Sequence, residues 1–208
     1  MQFTVAITVY KTPYFLPHAV QTVLAQTLKD WEIRVYSDGR SSDSDLLVRQ
    51  LQGQVPIYYR RLRRRRGSYG NYLRRLALEE GQGDHVCYLG HDCLFYPTYL
   101  EAHAANIAGR KDAVSVVPVS YWKYRASYLN RTQIERHASQ PTGNDLMTLG
   151  EGEIDLLCVA YPRQLALELD CFGSDTERIR CADYLAYDRL RKRSPAVYRP
   201  MSEQAAHF

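Results

Sequence analysis

Polar side chains follow three of the apolar runs that we predict to be strands. Thr8 and Tyr10 lie at the end of the first run, Asp38 follows the second, and Asp92 follows the fourth. A carboxylate at Asp38 could accept hydrogen bonds from a base N–H or from ribose hydroxyls, and the Tyr10 ring could stack on a base. Asp92 suits a hard cation that neutralises a diphosphate. These residue types indicate a nucleoside diphosphate site that includes a cation.

Each of these residues also has a structural interpretation. Ser-Asp-Gly at residues 37–39 is a common turn, in which the aspartate is a local acceptor. The Tyr10 ring could belong to the core, and His91-Asp92 could cap the helix that follows. The chemical interpretation therefore depends on whether the fold brings these residues together.

Segments of strand and helix character alternate along the first 120 residues. This alternation predicts an α/β fold with a mostly parallel, Rossmann-like central sheet flanked by helices, and ligands in such sheets bind beyond the carboxyl ends of the strands. The predicted strands are residues 3–10, 31–36, 55–62, 85–89 and 113–119, and the predicted helices are residues 16–24, 46–51, 72–80 and 97–107.

The second half of the chain differs in composition and in hydrophobic pattern. Residues 120–152 are rich in Tyr, Arg, Asn, Gln and Gly without a clear period, which predicts a long functional loop with one short helix near Gln133–His137. Its aromatic residues suit either a lid that stacks on a sugar or ordinary packing. A strand at residues 154–161 and a helix at 183–192 follow.

Length and composition favour one α/β domain. The chain has 208 residues, 45% of them hydrophobic, which is enough for one substantial core. Five cysteines without a C-x-x-C pair argue against a disulfide framework and a structural zinc site. The first residues read as a buried strand, and no long uncharged apolar run is present. We therefore expect a cytoplasmic protein.

The charge is concentrated at one point. Six arginines lie within Arg60–Arg66, in a chain whose formal net charge is only +4. The run could attract an anionic acceptor or give peripheral contact with a membrane, or it could be a solvated strand end that prevents edge pairing. Nucleic acid is disfavoured, because 23 acidic residues dilute the field and no basic face with interleaved aromatics is evident.

Three stretches resemble family 2 glycosyltransferases. The opening TVAITVYKTPYFLPHAVQTVLAQTLKDWEIRVYSDGRSSD is similar to the start of that family, and RRLALEEGQGDHVCYLGHDCLFYPTYLEAH is similar to its metal-motif region. IDLLCVAYPR, CFGS and CADYLAYDRL are similar to its acceptor-side segment. The resemblance runs from about Phe3 to about Leu190, and the motif layout is most similar to that of the spore-coat glycosyltransferase.

The resemblance implies a single GT-A domain with a nucleotide-binding half (1–95) and an acceptor-side half (96–208). It also implies a nucleotide-sugar donor, with a UDP-sugar favoured, and Mn²⁺ or Mg²⁺ as cofactor. The acceptor class stays open among a glycan, a lipid-linked molecule and a small molecule. The implied roles are nucleotide contacts for Thr8, Tyr10 and Asp38, a phosphate or ribose contact for Arg74, metal binding for Asp92, general-base catalysis for Asp183 and an acceptor-pocket position for Asp155.

Two departures weaken the metal assignment. Gly90-His91-Asp92 stands where many relatives have Asp-x-Asp, and Ser37 replaces the first Asp of another common pair. A single carboxylate can still hold Mg²⁺ or Mn²⁺ together with phosphate oxygens. His91 could add a nitrogen ligand suited to Mn²⁺, although a histidine beside a metal position is more often a neighbour.

The implied reaction is an inverting displacement at the anomeric carbon. Two other functions compete with it. A nucleotidyltransferase usually needs a Gly-rich loop and a Lys near the start, where this chain has TVYKTP. A non-catalytic nucleotide-sugar-binding module would account for Gly90 by loss of metal catalysis.

Overall fold

A computed structural model describes residues 1–9, 13–39, 42–126, 132–139, 154–173, 181–194, 196–198 and 204–207. The strands are β1 (Phe3–Val9), β2 (Trp31–Ser37), β3 (Ile57–Arg61), β4 (His85–Gly90), β5 (Cys93–Phe95), β6 (Val114–Val116), β7 (Val119–Ala126), β8 (Thr132–Ser139), β9 (Val159–Pro162), β10 (Ala196–Tyr198) and β11 (Ala205–His207). The helices are α1 (Leu16–Leu24), α2 (Ser42–Gln52), α3 (Asn71–Glu80), α4 (Tyr99–Ile107), α5 (Arg163–Glu168) and α6 (Ala182–Arg191).

The centre of the fold is a seven-stranded sheet with the order β10-β6-β9-β4-β1-β2-β3. All neighbouring strands are parallel except β9, which runs antiparallel to both β4 and β6. A smaller sheet has the order β5-β11-β7-β8. The prediction of a mostly parallel α/β fold is confirmed.

Apolar side chains on both faces of the central strands explain this arrangement. Six of the seven residues of β1 are buried, as expected for a strand covered on both sides. In α1, Leu16, Ala19, Val20 and Val23 are buried, and their spacing places them on one helix face. Helix and strand thus bury one continuous core.

Three predicted segments were wrong in detail. The strand expected at residues 113–119 is broken at Val117-Pro118, so that β6 and β7 belong to different sheets. The loop and short helix expected near Gln133–His137 are instead an antiparallel hairpin of β7 and β8, in which strand pairing overrides local helix propensity. Residues 127–131 and 140–152 of that predicted loop lie outside the described residues.

The expected strand at residues 154–161 begins instead with a 3-10 turn at Leu156–Cys158, and β9 is only four residues long. The three-residue strands β5, β10 and β11 were not predicted. Runs this short carry too little period to be recognised from sequence.

The cysteines are free thiols, and four of the five are buried. This confirms the prediction that most of them are small core residues. Among the helices of the described residues, none combines the length and the hydropathy that a bilayer crossing needs.

Candidate functional site

The ends of β1, β2 and β4 meet along one edge of the large sheet, which we call the carboxyl edge. Thr8 pairs with Tyr36 on one side and with Gly90 on the other. Asp38 follows β2 directly, and its N–H donates to the Val9 carbonyl at 3.2 Å. The structure therefore brings the ends of these three strands together, as the sequence predicted. Tyr10 lies outside the described residues.

Asp38 holds the loop that follows β3. One of its carboxylate oxygens accepts a hydrogen bond from the Arg66 N–H at 2.7 Å, and the other accepts from the Gly67 N–H at 2.8 Å. The approach is close, because a Cβ at Gly39 would lie 3.2 Å from the Arg65 Cβ, and Gly39 has φ +98°. Each carboxylate oxygen has a second lone pair, so Asp38 can still accept from a ligand.

Two arginines of the run form ion pairs with acidic side chains. Arg60 pairs with Glu80, and Arg61 pairs with Asp45. The remaining four arginines form the arginine loop (residues 62–67), which the two Asp38 hydrogen bonds fix at the carboxyl edge. The run thus lies beside the candidate site.

Asp92 lies in the tight turn between β4 and β5. Its carboxylate accepts a weak hydrogen bond from the Cys93 thiol, at 3.6 Å. A Cβ at Gly90 would lie 2.8 Å from the Asp92 carboxylate and 2.9 Å from the Cys93 sulfur. Glycine at position 90 therefore gives the Asp92 side chain room to turn back over the end of β4.

His91 is oriented by the backbone of β1. Its N–H lies 3.3 Å and its Nδ1 3.2 Å from the Thr8 carbonyl oxygen. The Nδ1 atom therefore serves a structural contact. The described residues contain no group of three or more His, Cys, Asp or Glu that could hold a metal ion. Asp92 fits Mn²⁺ or Mg²⁺ only in a site that substrate phosphate oxygens complete, as is common for Mg²⁺.

Arg74 projects from α3 toward the acceptor-side segments. One guanidinium nitrogen donates to the Asn71 side chain at 2.6 Å, while its Nε is buried without an acceptor among the described residues. The guanidinium carbon lies 5.8 Å from the centre of the Phe172 ring. An arginine with unused donor capacity suits an anionic ligand.

Asp183 lies in the first turn of α6 and is partly buried. Burial raises its pKa above the usual aspartate value, and the nearby Asp155 carboxylate raises it further. The Tyr184 N–H, which donates to Asp183 at 2.9 Å, and the Arg74 guanidinium act in the opposite direction. The structure therefore brings Arg74, Asp155 and Asp183 together. A carboxylate with a raised pKa is suited to proton transfer.

Asp155 has a structural role in the turn that precedes β9. It was expected on a strand, but it caps the 3-10 turn, and its carboxylate accepts from the Leu157 N–H at 2.8 Å. Its charge acts both on Asp183 and on Cys93, the residue that follows Asp92. Burial, together with the charges of Asp92 and Asp155, holds the pKa of Cys93 well above its usual range.

A cavity of about 820 Å³ lies between α1 and β5. Its volume is in the range of small-molecule sites, and its walls are mostly apolar. It adjoins the Asp92 turn. The lining residues are Phe15, His18, Gln21, Thr22, Ala25, His91, Asp92, Cys93, Leu94, Phe95 and Pro97.

Sequence reasoning missed three residues at this site. The charges of Asp92 and Asp155 act on Cys93, Phe172 packs near Arg74, and the buried Tyr161 hydroxyl has no partner among the described residues. Phe172 belongs to the CFGS motif, which gave the only available signal. The positive φ of Phe172, 61°, has no sequence signature of its own.

The sequence matches the model of one protein family. Residues 4–165 match "Glycosyl transferase family 2". An uncharacterized glycosyltransferase of Rickettsia typhi is 27% identical over 114 residues, which are 55% of this chain and 34% of that protein. Protein CgeD of Bacillus subtilis is 21% identical over 168 residues, 78% of this chain and 38% of that protein. The chain thus spans about a third of the length of these relatives.

Solved structures show the same fold. S. aureus TarS residues 1–349 in complex with UDP has a TM-score of 0.79 at 13% identity, covering 99% of this chain and 60% of that one. The mannosyltransferase PcManGT from Pyrobaculum calidifontis, in complex with GDP-Man and Mn²⁺, has a TM-score of 0.70 at 15% identity, covering 99% and 56%. The GT-A prediction is confirmed, and the match over residues 4–165 shows that the chain belongs to glycosyl transferase family 2.

Proposed function

We propose that the chain is an inverting glycosyltransferase that moves a sugar from a UDP-sugar to an acceptor hydroxyl. The observation that carries the proposal is the placement of three aspartates. Asp38 and Asp92 follow strands β2 and β4 at the carboxyl edge, and the partly buried Asp183 carboxylate lies within electrostatic range of Arg74. Similarity to proteins in complex with UDP or GDP-Man supports a nucleotide-sugar donor.

Asp183 is the residue that we assign as general base. The acceptor oxygen attacks the anomeric carbon on the face opposite the diphosphate, and its proton passes to the Asp183 carboxylate as the new C–O bond forms. The bond from the anomeric carbon to the diphosphate oxygen breaks, and its electron pair leaves with the nucleoside diphosphate. No covalent enzyme intermediate is needed.

The diphosphate end of the site is assigned to Asp92 and Arg74. Asp92 would hold Mn²⁺ or Mg²⁺ together with the phosphate oxygens, and the cation would offset the negative charge that develops on the leaving group. The Arg74 guanidinium can bind a phosphate oxygen. Thr8 and Asp38 remain on the nucleoside side, with Asp38 accepting from the uracil edge.

A thermal-shift panel of nucleotide sugars, with and without Mn²⁺, tests the proposal. We expect UDP-sugars to raise the melting temperature more with Mn²⁺ than without it, because ligand and cation bind only the folded chain. Release of UDP would then separate an enzyme from a binding module. No shift with any nucleotide sugar would contradict the proposal.

Asp38→Ala is expected to weaken UDP binding about tenfold or more, since hydrogen bonds to a charged group contribute roughly 1.5–3 kcal/mol. It also removes the two loop contacts, so the arginine loop should become more susceptible to limited proteolysis. Calorimetry with UDP measures the first effect. Asp30→Ala, an exposed aspartate before β2, is the control. Unchanged UDP affinity in folded Asp38→Ala would remove Asp38 from the nucleotide site.

The transfer rate is expected to fall on the acidic side at a higher pH than an ordinary aspartate would give. Burial raises the pKa of Asp183, and only the ionised carboxylate can take the acceptor proton. The pH profile of kcat, with donor and Mn²⁺ saturating at each pH, measures this limb. A rate that stays constant down to the usual aspartate range would contradict the assignment.

A further inference from the structure

We propose that the carboxyl edge of the large sheet binds the surface of a membrane that contains anionic lipids. Arg63 and Arg64 are exposed, and neither has an acidic partner within the described residues. They project from a loop that Asp38 holds in place at 2.7 and 2.8 Å. The edge therefore presents fixed positive charge to its surroundings, which an anionic lipid surface attracts.

The six arginines of residues 60–66 outnumber the carboxylates that the described contacts place against this segment, which are those of Asp38, Asp45 and Glu80. Asp45 pairs with Arg61 and accepts from the Tyr59 hydroxyl at 2.7 Å. The Asp38 carboxylate is turned to the loop backbone, and Asp43 accepts from the Tyr14 hydroxyl at 3.2 Å. These carboxylates are engaged within the fold.

Exposed apolar side chains concentrate at the same edge. Six large hydrophobic side chains are exposed in the described part of the chain, and four of them lie in segments that follow β1, β2 or β3. The four are each 55–65% exposed: Tyr14, Phe15, Leu46 and Tyr69. Aromatic and aliphatic side chains beside exposed arginines are typical of surfaces that lie in a membrane interface.

Tyr69 is held outward at a cost in backbone energy. Its φ is 51°, a left-handed conformation that is unusual for tyrosine, and Gly67 and Gly70 beside it also have positive φ. Such conformations are strained in residues that carry a Cβ, and they cluster at functional positions. The ring gains no burial in return, because it is 63% exposed. Insertion into a lipid interface would bury it.

The apolar component favours a bilayer over a water-soluble polyanion. Arginines would bind either a bilayer or a soluble polyanion. Exposed leucine and aromatic side chains, however, stabilise a complex only where they leave water. Phe15 also lines the 820 Å³ cavity that reaches Asp92. If the proposed function is right, the fitting acceptor is therefore linked to a lipid, with its apolar part in this cavity.

Vesicle sedimentation of the full chain tests the proposal. We expect binding to phosphatidylcholine vesicles that contain phosphatidylglycerol and little binding to phosphatidylcholine alone. Arg63→Ala with Arg64→Ala should weaken binding about 30-fold, since each arginine near an anionic surface is worth roughly fivefold. The matched control is Arg110→Ala with Lys111→Ala, which removes the same charge from an exposed pair beside Met1 at the opposite edge, and it should bind as the unmodified chain does.

A second pair of variants separates a bilayer from a polyanion. Leu46→Gln with Tyr69→Ser should weaken vesicle binding about tenfold or more, and the loss should persist at high salt. Tyr58→Ser, an exposed tyrosine on β3, should have little effect. Dependence on the arginines alone, with equal binding to soluble polyphosphate, would overturn the proposal in favour of an anionic polymer.

Equal binding of all variants to vesicles, or no binding, would also overturn the inference. The outcome is independent of the proposed function, because vesicle binding is measured without donor. UDP binding without vesicle binding would contradict only the proposal that the carboxyl edge binds a membrane. Vesicle binding without binding of any nucleotide sugar would contradict only the proposed glycosyltransferase function.

Discussion

Asp183→Asn is expected to lower sugar transfer by about 10²–10⁴-fold, the usual contribution of a general base. Asparagine keeps the shape of the side chain and can still accept from the Tyr184 N–H, but it cannot take a proton at neutral pH. UDP and Mn²⁺ affinities should stay within about twofold, because the interaction that is lost forms only in the transition state. Turnover measured at saturating donor, alongside calorimetry with UDP, separates the two effects.

The melting temperature of Asp183→Asn and the activity of a second aspartate variant in the same helix provide the controls. The folded pKa of Asp183 is raised, so the ionised carboxylate costs stability above that pKa, and the cost disappears as the pH falls through it. Asp183→Asn should therefore melt no lower than the unmodified chain at neutral pH. Asp188→Asn in the same helix removes ion pairs with Arg191 and Lys192 and should retain transfer.

Near-normal turnover in a folded Asp183→Asn variant would exclude Asp183 as the base. Asp155 would then be the next residue to test, since its charge acts on Asp183. Its cap of the 3-10 turn predicts that Asp155→Asn also lowers the melting temperature.

Asp92→Asn is expected to remove the coupling between metal and nucleotide. In the unmodified chain, Mn²⁺ and UDP should each strengthen binding of the other by about 5–150-fold, the usual range for coupled ligands. We propose that Asp92 supplies the protein carboxylate of a site that phosphate oxygens complete, so the chain should bind Mn²⁺ weakly when UDP is absent. Calorimetry with UDP in Mn²⁺ and in EDTA measures the coupling for both chains.

Asp84→Asn is the matched variant, because Asp84 lies just before β4, at its other end, and pairs with Lys111 there. It should leave the coupling intact. If the unmodified chain binds UDP equally in EDTA and in Mn²⁺, the site is metal-independent, and arginine side chains such as Arg74 would meet the phosphate charge.

The sequence predicted the parts of the fold that have strong periods. The buried runs of β1, β2 and β4 and the amphipathic α1 and α3 were evident, because each carries its hydrophobic pattern within its own residues. The pairing of β7 with β8 was not evident, since it depends on partners elsewhere in the chain. Pro118 gave a signal for the break between β6 and β7 that the continuous apolar run obscured.

The site was predictable in its positions but not in its contacts. Parallel strands explain why Asp38 and Asp92 share an edge. The Arg66 N–H of the arginine loop donates to the Asp38 carboxylate, although the two residues are 28 positions apart. No local sequence pattern predicts this hydrogen bond. The raised pKa of Asp183 likewise depends on burial and on Arg74 and Asp155, which only the tertiary structure brings near.

Release of UDP from a panel of UDP-sugars in Mn²⁺, with the anomeric configuration of the product followed by NMR, tests the central claim most directly. The chain should release UDP from at least one donor, the product should have inverted configuration, and Asp183→Asn should bind the same donor without releasing UDP. Retained configuration, or equal release by Asp183→Asn, would contradict direct displacement with Asp183 as the base. Donor binding without any release, with water or with lipid-linked acceptors, would instead identify a non-catalytic binding module.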